Sequence, residues 1–552
     1  RFCFRGNRQQ MAWTFCLAVF TGLLVSASTA QGQRFLPDDP ITEDPDRLDM
    51  PLPIQRPSSD YMRFLSNTFI TGRDDIGPAL NVNTLNEVPN SSWFQNRHGA
   101  KRMALPELRQ GAGDGLLPDT SAAFEVEKIV SVRPVLQLVV RDTLETRYTV
   151  RFDTPEFPVL STAAGVTANR AYHALGYNVP AMSIIHLQRG DLKVTADGSL
   201  GPADIGRLLE TAAPLAGGGA ATPGLAASSS PVYRAAVYRI PEPVVRRLGP
   251  FRFIDTRPDD GNDIFPHQRR RELRGLHVAA AWLNHTGIRA TRTLDVVVRQ
   301  EGRTFVRHYL YNTFESLGSG LTGPKEPWMG REHLVELNPV LMRMGTLGLS
   351  GGDWVNIEYP DVPHVGRFGA EQFRPEAWQP EHPNPAFARR DSADTFWMAR
   401  KIAAFTDKEI RHLVKAAAYP EQASEDYVTT VLAQRRDSIA AAYLGFGGGV
   451  DQFRVSGDSL HFVDVLRRHV PGLHPASRFV QWHRFSNQEN RVTDALGGYS
   501  VRETAIPIPE GHAAYVRARI TTPGYGYTNV YLRRTARASS TLYEVVGVER
   551  GG

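Results

Sequence analysis

Cysteine is almost absent from this chain of 552 residues, which has only Cys3 and Cys16. Both precede an expected signal-peptidase cut after Ala30. The stretch from Ala12 to Ser26 is largely apolar but too short to span a bilayer, and Ser28-Thr29-Ala30 supplies the small residues of a cleavage site. We therefore expect a signal peptide over residues 1–30 and an exported bacterial protein, periplasmic or extracellular. Its mature form would have no disulfide framework, thiol catalysis or cysteine-ligated metal.

A strong excess of one charge is also lacking. The chain has 63 basic and 58 acidic residues, for a net charge of +5. Such a weak balance is typical of a mixed, solvated surface and disfavours nucleic-acid binding. We expect no nucleic-acid partner and no membrane span after signal cleavage, which leaves an unknown protein or envelope partner. Residues 1–10 precede Met11 and are either a basic n-region or an over-extended reading frame.

Motifs of zinc and serine chemistry are missing or incomplete. No HExxH motif or paired-histidine spacing is present, which disfavours a zinc site. Gly348 to Gly352 has the Gly-x-Ser-x-Gly pattern, but no convincing strand precedes it and no convincing helix follows. The pattern therefore indicates a glycine-rich loop.

Oxygen ligands are crowded into one short stretch that includes Asp259, Asp260, Asn262 and Asp263. Such a stretch is a weak candidate for a Ca²⁺ site in an exported protein. Because the closing glutamate of an EF-hand loop is missing, an acidic turn before the next helix is the favoured prediction.

Hydrophobic periodicity predicts a small strand-rich lobe over residues 126–245. A single helix interrupts its strands and ends before Gly176, which suits a left-handed C-cap. The predicted elements are a hairpin of Val135–Val140 and Tyr148–Phe152, a helix over Thr162–Leu175, and strands over Ser183–Val194 and Val232–Ile240.

Four further segments follow from composition and periodicity. Residues 31–60, rich in Pro and Asp, predict a disordered or extended arm, and residues 61–125 an irregular packing segment. Residues 246–446 predict a larger helical lobe, and residues 450–552 a β-rich C-terminal domain. The elements of the helical lobe are a helix over Arg271–Asn284, strands over Leu294–Arg299 and Thr304–Tyr311, a capping box at Thr406, and a helix capped by Ser424 that stops at Gly445.

This order of elements is that of the protein-kinase-like fold. Sharper evidence comes from four motifs, Ala281–Gly287, Thr293–Asp295, His308–Leu310 and Leu317–Gly320, and from stretches over Asn83–Arg97, Pro155–Pro180, Leu248–Leu283 and Phe387–Asp407. On these residues the chain resembles a family of uncharacterised exported bacterial proteins whose core is similar to HipA-type and phosphatidylinositol-kinase-like enzymes. The resemblance implies an α+β fold with a two-lobed kinase-like core and a C-terminal antiparallel β domain.

Five polar positions are expected in typical members of such a family. They are a strand lysine for the phosphates, a helix glutamate that orients it, a loop aspartate as base, and an asparagine and an aspartate for the metal ions. The matching positions here are Arg151, Gly165, Gly287, Arg292 and Asn312, in that order. Arg151 keeps a charge but not the compact ammonium group, and Arg292 puts a cation where Mg²⁺ would lie.

The resemblance therefore implies a pseudokinase-like protein that has a binding or scaffold role and needs no cofactor. Under one alternative the register is shifted, and His285, Asn284 and Asp295 serve an active atypical phosphotransferase that uses a nucleotide, held through Arg151, and Mg²⁺. A second alternative is an envelope-binding protein that acts through its C-terminal β domain. Asn284, His285 and Asp295 also suit a plain capping role at the helix and the hairpin.

Overall fold

The computed structural model describes the chain over residues 32–56, 76–113, 117–118, 120, 122–194, 202–215, 230–333, 357–470, 472–473, 475, 477–511, 513–535 and 542–552. The predicted signal peptide and the Gly348–Gly352 motif lie outside these residues. Over the described part the fold is mixed α+β, with several sheets. None of its helices combines the length and the apolar character that crossing a membrane requires.

A six-stranded sheet dominates the first part of the fold and curls into a half-barrel. Leu138 pairs with Val150 across the hairpin of its second and third strands, and both side chains enter one apolar core, which confirms the predicted hairpin. The strands are β1 (Phe124–Ser131), β2 (Gln137–Arg141), β3 (Arg147–Phe152), β4 (Ala181–Gln188), β5 (Leu192–Val194) and β6 (Val232–Arg239), in the spatial order β4-β6-β3-β2-β1-β5.

Helix α1 (Leu105–Gln110) packs against helix α2 (Leu160–Leu175), and α2 packs beside this sheet. Nearly every residue of α2 is buried, and its many alanines allow close packing on several sides. Gly176 ends α2 with a positive φ of 120°, and its N–H donates to the carbonyl of His173. The N–H of Tyr177 donates to the carbonyl of Tyr172 at 3.0 Å, which completes a Schellman motif. The predicted helix and its glycine end are confirmed.

The prediction of a continuous strand over Ser183–Val194 is wrong. β4 ends at Gln188, and a short 3₁₀ turn over Arg189–Asp191 intervenes. The carboxylate of Asp191 accepts the N–H of Gln188 at 2.7 Å, and β5 then pairs in parallel with β1. Local hydrogen bonding by an aspartate side chain broke the strand despite its apolar pattern. Helix α3 (Pro202–Leu209) follows.

A three-stranded sheet and a group of helices form the middle of the chain. The strands are β7 (Val244–Gly249), β8 (Thr293–Gln300) and β9 (Arg303–Leu310), in that spatial order. The helices are α4 (Arg271–Trp282), α5 (Pro385–Ala388), α6 (Ser392–Ala403), α7 (Asp407–Lys415) and α8 (Gln422–Tyr443). Trp282 and Trp397 lie in their shared apolar core, which α2 also joins.

The predicted caps of these helices have different outcomes. Thr406 accepts the N–H of Glu409 and forms the predicted capping box of α7. The prediction that Ser424 caps the next helix is wrong, because α8 begins at Gln422 and Ser424 lies inside it. Its hydroxyl donates to the carbonyl of Pro363 at 2.7 Å, so a tertiary contact has taken the place of the cap.

Antiparallel sheets occupy the chain after residue 450, as predicted. One contains β10 (Val450–Ser456), β11 (Ser459–Asp464) and β14 (Ala505–Pro507), and helix α9 (Val465–His469) follows β11. The other has the order β13-β12-β15-β16-β17. Its strands are β12 (Arg478–Ser486), β13 (Arg491–Val501), β15 (Tyr515–Thr522), β16 (Gly526–Arg534) and β17 (Tyr543–Gly551).

Residues 32–56, which we name the N-terminal strap, run in mostly extended form over two of these sheets. Phe35 is buried against Phe485 and Tyr531 of the five-stranded sheet. Further along, the N–H of Met50 donates to the carbonyl of Thr304 on β9 at 3.1 Å. The strap therefore ties the last sheet to the middle of the chain.

Candidate functional site

The five positions matched to the kinase pattern meet at one short segment that follows β9. This segment, Asn312-Thr313-Phe314-Glu315, is named the 312–315 segment. The elements that supply the positions are far apart in sequence: Arg151 lies on β3, Gly165 on α2, Gly287 and Arg292 between α4 and β8, and Asn312 begins the segment itself. Arg151 and Arg292 contact the segment. Gly165 and Gly287 lie where a side chain would collide with it.

Phe314 fills the side of the segment that faces the six-stranded sheet. The guanidinium carbon of Arg151 lies 4.5 Å from the centre of its ring, and Nη2 of Arg151 donates to Ser161 Oγ at 3.2 Å. A Cβ atom on Gly165 would lie only 2.3 Å from the same ring. Thr313 Oγ1 also donates to the Gly165 carbonyl at 2.8 Å. Phe314 therefore occupies the space in which a helix glutamate would pair with a strand cation.

A salt bridge closes the other side of the segment. The guanidinium of Arg292 pairs with Glu315, and both side chains are largely buried. A Cβ atom on Gly287 would lie 2.4 Å from the Glu315 carboxylate, so no side chain fits there without displacing it. Asn312 Oδ1 accepts the N–H of Phe314 at 3.1 Å. The oxygen ligands that Asn312 and Glu315 offer are thus bound within the protein.

Lys325 is a buried cation at this site that the sequence analysis missed. Its Nζ donates to three oxygens, the carbonyl of Asn284 at 2.8 Å, Thr286 Oγ1 at 2.6 Å and the carbonyl of Glu315 at 2.6 Å. Burial lowers the pKa of Lys325 to about 8, although the carboxylates of Glu381 and Glu315 oppose the shift. With all three donors engaged, Lys325 holds the segment against the loop after α4 and has no proton free for a ligand.

Asp153 is a second polar residue that the sequence analysis did not single out. Its Oδ1 accepts the N–H groups of Ser161 and Thr162, both at 2.9 Å, and so satisfies the start of α2. Arg234 Nε donates to Thr162 Oγ1 at 3.1 Å. Burial raises the pKa of Asp153, and the charge of Arg234 opposes that shift. These contacts give Asp153 a structural role beside Arg151.

The burial of the two arginines shifts their pKa values as well. Desolvation lowers the pKa of Arg151, and the neighbouring Asp153 and Glu315 counteract it. Desolvation also lowers the pKa of Arg292, against the opposing charge of Glu315. Because guanidinium groups begin from a very high pKa, both arginines remain charged at neutral pH. The site therefore holds buried positive charge, of which Arg292 is paired with Glu315.

Asn284 and His285 end helix α4. The N–H of Asn284 donates to the carbonyl of Ala281 at 3.1 Å, and the N–H of His285 donates to that of Ala280 at 2.8 Å. Asn284 has a φ of 46°. This is the Schellman arrangement, with asparagine in the left-handed position that glycine most often takes.

The side chains of both residues have partners in the core. Asn284 Oδ1 accepts the indole N–H of Trp378 at 3.1 Å. His285 Nδ1 lies 3.0 Å from the hydroxyl of Tyr172. Burial lowers the pKa of His285 well below its ordinary value, and Lys325 adds to the shift, so the imidazole is neutral. These contacts make both residues parts of the helix end, but His285 Nε2 is buried with no hydrogen-bond partner among the described residues.

Asp295 belongs to a different group of side chains. It lies opposite His308 in the β8–β9 hairpin, with its Oδ1 2.7 Å from His308 Nδ1. Its other carboxylate oxygen is 3.6 Å from Arg257 Nη1. His308 in turn stacks on Trp93 with ring centres 3.5 Å apart. The described contacts of Asp295 thus lead away from His285 and from the 312–315 segment.

The acidic stretch from Asp259 to Asp263 is bound by basic side chains. Asp263 lies 2.7 Å from His267 Nε2 and 2.9 Å from Arg270 Nη2. Burial alone would raise the pKa of Asp263, but His267 and Arg270 bring it well below its ordinary value. The remaining contacts join Asp259 to Arg257 at 3.0 Å, the N–H of Asn262 to Asp260 at 3.0 Å, and Asn262 Nδ2 to the carbonyl of Leu48 at 2.9 Å. They give the Ca²⁺ hypothesis no support.

Within the described ranges, no group of three or more His, Cys, Asp or Glu side chains is arranged to hold a metal ion. No protein-family model, curated protein or solved structure matches this sequence. The contacts around the 312–315 segment are therefore the evidence from which its function has to be inferred.

Proposed function

We propose that this chain is an exported protein with a two-lobed kinase-like core that lacks kinase activity and has a binding or scaffold role. The observation that carries the proposal is the salt bridge between Arg292 and Glu315 at the position matched to the metal site. Arg292 supplies positive charge there, but a guanidinium cannot coordinate and bridge phosphate oxygens as Mg²⁺ does.

The energy of this salt bridge supports the proposal. A metal ion bound at the segment would have to displace Arg292 from Glu315, and unpairing a buried ion pair costs about 3–5 kcal/mol. Arg292 retains 19% exposure of its side chain, so the lower end of that range applies. Lys325, whose Nζ lies 2.6 Å from the Glu315 carbonyl, would add repulsion toward a divalent cation.

The two-lobed arrangement is supported by the elements that supply the residues around the 312–315 segment. Arg151 belongs to the six-stranded sheet, whereas Arg292 follows the end of the buried helix α4. Arg234 links the same sheet to the chain after α7, since Nη1 donates to the carbonyl of Ala418 at 2.8 Å. Under the proposal, residues 126–245 form the smaller lobe and residues 246–446 the larger one.

A phosphoryl-transfer assay tests the proposal. The full chain would be incubated with γ-labelled ATP and Mg²⁺ or Mn²⁺, and both ADP release and labelling of the chain or of a general acceptor protein would be measured. We expect neither to exceed the level of a heat-denatured sample. ADP release that His285→Gln or Asp295→Asn abolishes would instead support the atypical phosphotransferase.

A second observation favours binding through the C-terminal sheets. β13 is at the edge of the five-stranded sheet, and most of its side chains are exposed. An open strand edge can pair with an extended segment of another protein. Hydrogen exchange of the full chain with and without a candidate envelope partner tests this role. Binding through the edge of β13 predicts that the partner protects the amides of residues 491–501 from exchange. Protection confined to other surfaces would contradict this role.

A further inference from the structure

A cavity of about 610 Å³ lies between residues 83–102, the end of α6, the start of β10 and helix α9. Its volume falls within the range of roughly 300–1,000 Å³ that is usual for small-molecule sites. Neither the 312–315 segment nor any of the residues that contact it lines this cavity. The cavity is thus separate from the 312–315 segment.

The carboxylates of the cavity wall are already used. Among the described lining residues, only Glu87 and Asp451 are acidic. Glu87 pairs with Arg400 and accepts the indole N–H of Trp397 at 3.1 Å. Asp451 accepts from Arg400 at 2.8 Å and pairs with Arg550. Both acids are thus engaged by cations or N–H donors within the protein.

The asparagines of the wall are engaged in the same way. Asn83 donates to the carbonyl of Ile41 at 2.8 Å, and Asn90 donates to Glu43 at 2.6 Å. Asn96 donates to the carbonyl of Val88 at 2.8 Å, and its Oδ1 accepts from Lys401. These amides stabilise the irregular segment that forms one wall, and they are not spare ligand-binding groups.

Lys401 is the exception, because its charge has no carboxylate partner in the part of the chain that the structure describes. Its side chain is 4% exposed, yet its Nζ makes a single hydrogen bond, to Asn96 Oδ1 at 3.0 Å. The ammonium also lies 5.3 Å from the ring centre of Phe94 and 5.1 Å from that of Trp397. Burial lowers the pKa of Lys401 to about 8, and the adjacent Arg400 adds to the shift.

Lys401 therefore lines the cavity, and within the described residues its ammonium group makes one hydrogen bond and no ion pair. A buried charge without a partner is costly, and an anion in the cavity would remove much of that cost. At the rim, Arg468 is exposed, and the described residues offer it no ion pair. Lys401 and Arg468 are thus lining cations without an ion pair among the described residues, although the charges of Glu87 and Asp451 oppose the lowering of the Lys401 pKa.

We propose that this cavity binds a small organic anion whose carboxylate or phosphate is held by Lys401, with Arg468 at the rim. The site goes beyond the binding role proposed above, since it uses none of the kinase-like residues. It would give an exported protein without catalytic machinery a specific small-molecule ligand.

Isothermal titration calorimetry on the full chain tests this proposal with glucuronate, glucose 6-phosphate and neutral glucose as probes. We expect at least one of the two anions to bind with a Kd of about 1 mM or tighter, and glucose to bind far more weakly. The anion that binds tells whether the site takes a carboxylate or a phosphate. Inorganic phosphate alone is expected to bind less tightly than the preferred organic anion.

The variants locate the binding. Lys401→Met keeps the apolar contacts with Phe94 and Trp397 and is expected to weaken anion binding roughly tenfold or more. Arg468→Gln, at an exposed position, is expected to weaken it about threefold and serves if the buried variant fails to fold. Lys408→Met removes the same charge from the exposed face of α7 and should change nothing.

Each of four results would overturn the proposal. Glucose could bind as tightly as the anions, neither anion could bind at millimolar concentration, or the Lys401→Met and Arg468→Gln variants could both bind like the unaltered chain. Equal loss in Lys408→Met would show attraction by net charge only, which also contradicts a specific site.

Discussion

Gly165 sits at the one point of α2 where Phe314 allows no side chain. The Cβ atom of alanine would lie 2.3 Å from the Phe314 ring. We expect Gly165→Ala to lower the free energy of unfolding by about 2 kcal/mol, because overpacking outweighs the better helix propensity of alanine. Urea denaturation measures the change. Gly190→Ala, in an exposed 3₁₀ turn with no atom within 4 Å of its Cβ, is the control and should be near neutral.

The salt bridge of Arg292 with Glu315 is expected to contribute to stability through its burial. Arg292→Met leaves the Glu315 carboxylate buried and unpaired, so it should lower the free energy of unfolding by about 3 kcal/mol. Adding Glu315→Gln should restore part of that loss, and a double-mutant cycle gives the coupling energy.

A surface pair provides the matched control for that experiment. Arg491 lies 3.0 Å from Glu489, with both side chains more than half exposed. Arg491→Met should cost less than about 0.5 kcal/mol. Equal losses at the two sites would contradict the role given to burial at the 312–315 segment.

Residues of the site differ in how far the sequence could indicate them. The family resemblance indicates Arg151, Gly165 and Gly287, and the structure shows that a side chain at either glycine would collide with the 312–315 segment. Lys325 could not be placed, because its three acceptors belong to chain segments that meet only through tertiary packing. Glu315 could have been predicted as the partner of Arg292, since an arginine in a partly buried site requires an opposite charge nearby.

At the scale of elements, the end of α4 depends on Asn284 in two separable ways. Its backbone has a φ of 46°, and its side chain accepts the Trp378 indole N–H. Asn284→Gly keeps the backbone conformation and loses only the hydrogen bond, at a cost of about 1 kcal/mol. Asn284→Ala loses both and should cost about 1 kcal/mol more. Urea denaturation of the two variants tests this order, and an alanine variant as stable as the glycine variant would contradict it.

The elements that could be predicted from periodicity were those with one buried face or with a residue that ends a helix. The β2–β3 hairpin has such a face, and α2 has both a run of apolar residues and Gly176. The prediction of Ser424 as a helix cap is wrong because a serine hydroxyl can bind a distant carbonyl as well as cap a helix start. β13 had no apolar alternation to reveal it, since most of its residues are exposed at the sheet edge.

At the scale of the whole molecule, two buried lysines predict a pH dependence of stability. Burial lowers the pKa of both Lys325 and Lys401 to about 8, against 10.5 for a solvated lysine. Between about pH 8 and about pH 10 the unfolded chain therefore binds more protons than the folded chain, and the free energy of unfolding rises with pH. Each lysine should add about 1 kcal/mol between about pH 8 and about pH 9.

Urea denaturation at a series of pH values checks this dependence. Lys401→Met should show a smaller rise above about pH 8 than the unaltered chain, by about the share of one lysine. Lys408→Met, at an exposed position, should follow the unaltered chain. A fall in stability over this window, or the same rise in Lys401→Met, would contradict the assignment.

The contacts of the 312–315 segment should prevent nucleotide binding that depends on a metal ion. A thermal-shift titration of the full chain with ATP measures such binding most directly. We predict that Mg²⁺ or Mn²⁺ does not raise the Tm above that measured with ATP alone, because Arg292 is paired with Glu315, Lys325 lies beside them and Phe314 covers Arg151. An effect of ATP as a plain anion would not be strengthened by the metal, which neutralises part of the ATP charge, and it would be sensitive to Lys401→Met. A metal-dependent rise in Tm that Arg151→Met abolishes would contradict the proposed loss of kinase activity.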